Sequence, residues 1–269
     1  MSHPEDKSNW KLFLATLSVW LGTVSGSFAL SPVVVDIKPF ADGFVMAYAD
    51  GTITWTDIDG IATDSVKLRM DLAGIEVREE RVLAVSPECR ILSVARDGNI
   101  RQLCRRQINN GADIVVGIAC SKDNALILTE GGVILSTADF DTFTSMDFNG
   151  TYTSYYDETR FCAISASDNF FYIAGTFHNG MPAVFTSASG RIWSERTLSY
   201  TQERETLCLE QQPLGLAYDS GLDRFVMACT DGYLFFMPGC SHCNTIERKS
   251  MRDINAVAFN GGRCLIIDN

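Results

Sequence analysis

The side chains able to do chemistry are few. Cys240-Ser241-His242-Cys243 places three soft ligands within four residues, a pattern that could hold a metal or exchange a disulfide. A structural zinc site needs a second, separately spaced ligand pair, and the sequence has none. A redox Cys-x-x-Cys opens a helix, whereas this one follows an apolar strand pattern at 233–237 and then Pro238-Gly239. A hairpin turn with two ordinary thiols fits better, so Cys240, His242 and Cys243 remain weak metal candidates and no cofactor is expected. A hydrolytic triad needs histidine beside a nucleophile and a carboxylate. Only His3, His178 and His242 exist, and His3 sits in a polar start. His178 falls in a long hairpin at 176–182 with no Gly-x-Ser-x-Gly or comparable nucleophile context. No catalytic residue is assigned, and the sequence points away from an enzyme. His178 at a loop tip is instead a candidate interface residue, together with Trp55 and Trp193. Those two rings, like Trp20, lie near strand ends, where each either anchors a partner or caps the core.

The totals narrow the class of partner. The chain has 269 residues, 46% of them hydrophobic, with a formal net charge of −11. That balance is globular and disfavours nucleic acid and anionic membranes, which attract a surplus of Lys and Arg. Arg101, Arg105 and Arg106 form the one dense basic cluster, read as a solvated strand end. Nine cysteines cannot all pair, and Cys120, Cys162, Cys229 and Cys264 sit inside apolar strand patterns. Free thiols used as small hydrophobes suit the cytoplasm or another reducing intracellular compartment. The N-terminus pulls the other way. Lys11, the largely apolar residues 12–24 and Ser27-Phe28-Ala29 resemble a signal peptide, in which case the protein is secreted. Thr16, Ser18, Gly22 and Thr23 interrupt the run, and Glu5 and Asp6 offset Lys7. A strand reading is preferred, and the run falls short of the roughly 20 unbroken apolar residues of a membrane span.

The elements that must position these residues are strands. Residues 81–103 read as an apolar run, a turn containing Pro87, a second apolar run, Asp97-Gly98 and a third strand. Aligning glycine turns brings out copies at Asp50-Gly51, Gly131-Gly132 and Asp231-Gly232, with a looser unit over 161–187. Units then begin near residues 33, 82, 114, 161 and 214. Residues 254–259 and 264–267 match only the first two strands of a unit. An apolar second strand left unpaired is an aggregation hazard. Residues 9–29 are therefore expected to supply the outer strands of that last unit, 254–269, and so close a ring. This makes 1–269 a single all-β domain, a β-propeller of six blades, or seven if residues 70–80 or 152–158 hold a degenerate strand set. The spacing of roughly 45 residues suits four-stranded blades.

At 83–103 and 214–237 the chain resembles WD-repeat propellers, with an apolar strand, a turn and an Asp-Gly hairpin, though the Trp-Asp dipeptide and Gly-His are missing. At 134–148 and 184–198 it resembles the Asp-box hairpins of sialidase-like propellers: Ser187, Gly190 and Trp193 fit, while Ala188 and Ser189 replace the acidic part. The first resemblance implies a non-enzymatic scaffold that binds protein, often as a subunit of a larger assembly. The second implies a glycan-binding or sialidase-type propeller, whose Tyr–Glu pair and arginines would be sought at Tyr155, Tyr156, Glu158 and Arg160. These four are local in sequence, whereas a propeller site gathers residues from many blades. A virion or secreted appendage protein is a third reading, left open by the N-terminus.

Overall fold

A computed structural model describes residues 33–106, 108, 113–152, 158–202, 205–238 and 244–268. Blade 1 is β1 (Val34–Phe40), β2 (Gly43–Tyr48), β3 (Thr52–Thr56) and β4 (Ala62–Lys67). Blade 2 is β5 (Gly74–Arg78), β6 (Arg81–Val85), β7 (Arg90–Val94) and β8 (Ile100–Arg105). Blade 3 is β9 (Val115–Cys120), β10 (Ala125–Thr129), β11 (Val133–Thr137) and β12 (Thr144–Asp147), followed by the short helix α1 (Phe148–Tyr152). Blade 4 is β13 (Thr159–Ala166), β14 (Phe171–Phe177), β15 (Pro182–Ser187) and β16 (Ser194–Glu195). A separate hairpin, β17 (Ser199–Gln202) with β18 (Glu205–Cys208), precedes blade 5. Blade 5 is β19 (Pro213–Asp219), β20 (Arg224–Cys229), β21 (Tyr233–Pro238) and β22 (Thr245–Arg248). The last sheet is β23 (Ile254–Asn260) with β24 (Arg263–Asp268).

Each blade is an antiparallel meander whose strands pair in sequence order. The chain is thus a single all-β propeller with five four-stranded blades, not the six or seven expected. The count changes for two reasons. Residues 70–80 contain β5, the first strand of blade 2, and no separate blade. The last sheet stops at two strands among the described residues, and the closure expected from 9–29 lies outside them. The template unit at 81–103 is also out of step. Asp97-Gly98 joins the third and fourth strands of its blade, whereas Asp50-Gly51 and Asp231-Gly232 join the second and third. The charged residues around β5, from Glu76 to Arg81, hide it as an apolar run.

The core lies between neighbouring sheets. Trp55, Phe40 and Leu68 of blade 1 pack against Ile75, Val82 and Leu92 of blade 2. Equivalent layers repeat around the molecule. β23 packs against both β19 and β1: Val257 and Phe259 join Phe236, while Ala258 and Leu265 join Phe44. Innermost strands approach closely at small residues; a Cβ on Gly117 would sit 2.9 Å from Ile164 Cγ2. The channel between them holds about 40 Å³, room for no more than a few waters. Because strands alternate in direction, two ends of the molecule differ. One carries the turns between first and second and between third and fourth strands, here the hairpin face. The other, the connection face, carries the remaining turns and the crossings from blade to blade.

Candidate functional site

A cavity of about 620 Å³ opens on the connection face between blades 3 and 4. Asp113, Glu130, Asn149, Glu158, Arg160 and His178 are among the residues lining it. The β10–β11 turn is fixed to the preceding connection by Asp113, whose carboxylate accepts from the Thr129 hydroxyl, from Gly131 N at 3.0 Å and from Ile114 N at 2.9 Å. Asn149, on α1, bridges blades 3 and 4: its Nδ2 donates to Gly131 O (3.0 Å) and Thr159 O (2.9 Å), and its Oδ1 accepts from Thr159 N (3.0 Å). Arg160 pairs with Glu130, and His178 N donates to Glu158 O at 2.8 Å. Three carboxylates face one guanidinium, so the wall is acidic. Among the described residues no serine or cysteine lines the cavity, and Thr176 Oγ1 is already hydrogen-bonded to Gln212 Oε1 at 2.7 Å. His178 stands at an exposed hairpin tip, with no serine or cysteine beside it among the described residues.

Of the sialidase-like set, Glu158 and Arg160 line this cavity, while Tyr155 and Tyr156 lie outside the described residues. Arginines gather elsewhere. A second cavity of about 600 Å³ between blades 1 and 2 is lined by Arg69, Arg90 and Arg105 with Asp71 and Glu88. Arg69 and Arg90 were not singled out in the sequence, because they come from different blades and only the fold brings them together.

Sequence left two roles open for Trp55 and Trp193, and the structure takes both into the core. Trp55 is 1% exposed and packs edge-on to Phe40 at 6.2 Å. Trp193 is 2% exposed, its Nε1 donating to Gly190 O at 3.2 Å. Cys240, His242 and Cys243 lie outside the described residues, among which no three metal-ligating side chains cluster. The thiols of Cys89, Cys104, Cys120, Cys162, Cys208, Cys229 and Cys264 are free. Burial pushes Cys89 up to about 11 and Cys162 and Cys264 up to about 12, leaving them protonated and poor nucleophiles.

Strands in this order, radiating from a channel, decide the architecture. The chain has the β-propeller fold. Comparison of the sequence with protein-family models and with curated proteins finds no match. Comparison of the structure finds propellers. The β-propeller domain of Cps50 (Swd1) from Myceliophteria thermophila superposes with a TM-score of 0.56 at 10% identity, over 84% of this chain and 75% of that one. The WD40 domain of Neurospora crassa Pan2 gives 0.53 at 10% identity, over 85% and 70%. BBS1N, solved in complex with ARL6DN, gives 0.50 at 13% identity, over 80% and 64%. Likeness at such identity shows the fold alone.

A charged cluster at the channel escaped sequence reading. Asp36 and Lys38 on β1 pair at 3.5 Å, and Asp36 Oδ2 accepts from Ile75 N of blade 2 at 3.0 Å. Burial raises the carboxyls of Asp36 and Glu76, with Lys38 working against it. Burial alone would lower Lys38, but the two carboxylates outweigh it and hold the ammonium above its ordinary value. Asp36 thus ties blade 1 to blade 2 within the frame. Nothing in the spacing of Asp36, Lys38 and Glu76 announces it, because Glu76 comes from the neighbouring blade.

Proposed function

We propose that the protein is a non-enzymatic scaffold that binds other proteins through its turn-bearing faces, as a subunit of a larger assembly. The observation that carries this is the cavity at blades 3 and 4: acidic, open and edged by His178, with no serine or cysteine among its described lining residues. The fold adds support, since propellers of this shape include one solved in complex with another protein. The sialidase-type alternative draws on the hairpins at 137–142 and 187–193. Their side chains are spent on closing turns: Thr137 Oγ1 accepts from Phe140 N and Ser187 Oγ from Gly190 N, both at 2.8 Å. Free thiols favour a reducing compartment for this work. Purification of the intact protein from its native source under gentle crosslinking is expected to retain a stoichiometric protein partner. Hydrolysis of a fluorogenic sialoside by the pure protein, with no retained partner, would overturn the reading.

The same proposal includes completion of the last sheet by residues 9–29. Its support is β24. Second strands of complete blades, such as β10 and β20, are buried along almost their whole length, whereas β24 is half-buried at every position but Leu265. Deleting residues 1–29 is expected to lower the melting temperature by several degrees. Unchanged melting would remove the N-terminal segment from this role.

A further inference from the structure

On the hairpin face, two adjacent blades hold apolar side chains out to solvent. Phe170, in the β13–β14 turn, is 48% exposed, and Leu222, in the β19–β20 turn, is 49% exposed. Both turns are stiff. Ser167 N donates to Phe170 O at 2.8 Å while Ser167 Oγ accepts from Phe170 N at 3.1 Å. Gly221 N donates to Asp219 Oδ1 at 3.2 Å and Leu222 N to Asp219 O at 3.3 Å. The two turns adjoin, because Tyr172, just beyond the first, stacks on Phe225, just beyond the second, at 3.7 Å. Displayed apolar side chains on rigid, neighbouring turns lose little entropy when covered, which suits them to docking.

The surroundings say what would cover them. Tyr218 OH donates to Asp223 Oδ1 at 2.7 Å. Asp168 shares the first turn with Phe170, and Asp219 and Asp223 flank Leu222 in the second; the Asp223 bond, burial and these charges push the phenol up to about 12. Asp219 is neutralised by Arg224 at 3.1 Å. Asp123, Asp168 and Asp223 are exposed and form no ion pair among the described residues, with Lys122 the cation on the next turn. An apolar centre edged by unpaired carboxylates complements alternating apolar and cationic side chains.

We propose that the Phe170–Leu222 patch docks a basic, amphipathic segment of a partner protein, its apolar side chains on Phe170 and Leu222 and its Lys or Arg beside Asp168 and Asp223. This rests on the scaffold reading and assigns it a face and a partner chemistry. The test is fluorescence anisotropy with a short labelled peptide alternating Lys and Leu, and with its Glu–Leu counterpart. A net charge of −11 attracts any polycation weakly, so a charge-matched control is needed. The pair Asp71→Asn with Glu88→Gln supplies it on the connection face. The Lys–Leu peptide is expected to bind. Either Phe170→Ser with Leu222→Ser, or Asp168→Asn with Asp223→Asn, should weaken it by about tenfold or more, whereas the control pair changes it little. Asparagine keeps the left-handed backbone of residue 223 (φ 46°), and unchanged melting certifies each variant. Equal loss in the control pair, equal binding of the Glu–Leu peptide, or no binding at all would overturn the proposal. Binding abolished only by the connection-face pair would sink this site while leaving the scaffold reading standing.

Discussion

The two faces of the propeller are built from the same kind of tight turn but hold it differently. On the connection face, Gly51 and Gly232 lie beneath the chain that crosses to the next sheet. A Cβ there would come within 2.2 Å of Met70 O and 2.1 Å of Ser250 O. On the hairpin face, Gly98, Gly261 and Gly262 have no atom within 4 Å of such a position. All five have positive φ, so the difference is packing and not backbone conformation. A turn is locked where a crossing passes over it, as at Gly51 and Gly232, and open where none does, as at Gly98, Gly261 and Gly262. Gly180 of the connection face is open as well, and a Cβ on Gly190 of the hairpin face would lie 2.8 Å from Leu126. A displayed Phe170 or Leu222 on an uncovered turn costs the fold little, which suits the proposed docking surface.

The largest effect is expected in the frame that both faces share. Lys38→Met leaves the half-buried carboxylates of Asp36 and Glu76 without their buried cation, a loss of about 3 kcal/mol near neutral pH, the low end of what breaking a buried pair costs. The sign with pH follows from the raised carboxyls. With their folded values above the unfolded ones, the native state takes up protons first as pH falls, so the deficit should shrink between about pH 7 and pH 5. Urea midpoints measured at both pH values check it, and a deficit that grows on acidification would mean these carboxyls are not held as described. In the unmodified protein, stability from Lys38 is fully present below the ordinary lysine pKa and is lost as pH rises through its raised value.

Next in size is the contrast between the turns themselves. Gly232→Val meets both left-handed strain and the Ser250 carbonyl, for a loss of about 3 kcal/mol, whereas Gly98→Val meets strain alone, about 1 kcal/mol. Equal denaturation midpoints for the two would erase the distinction between locked and open turns. Smallest of all is Arg160→Ala. Its guanidinium, paired with the half-buried Glu130, is itself largely exposed, so little change in melting is expected; a clear drop would show the blade 3–4 cavity to be a structural joint.

Much of this architecture could be read from the chain. Period-2 runs and glycine turns, Asp-Gly in blades 1 and 5 and Gly131-Gly132 in blade 3, mark these three blades, because there the apolar alternation and turn chemistry agree. The first strand of blade 2 hides from the pattern because β5 carries Glu76 and Arg78, and the countercharge of Glu76 is Lys38 of blade 1. The asparagine clamps were invisible for the same reason. Asn149 joins blades 3 and 4, and Asn260 Nδ2 donates to Ala41 O at 3.1 Å and Gly43 O at 2.6 Å, some 217 residues away in sequence. Of the candidate surface residues, His178 stands at a tip as its hairpin suggested. Trp55 and Trp193 do not, since a strand end in a propeller is still covered by the neighbouring blade.

A protein partner docked at Phe170 and Leu222 would cover the hairpin face. Hydrogen–deuterium exchange, comparing the protein alone with the complex retained from its native source, tests that docking most directly. Slowed exchange is predicted in the turns around Ser167–Phe170 and Asp219–Asp223, with those at Gly51 and Gly232 unchanged. Protection confined to the connection face, or none anywhere, would contradict it.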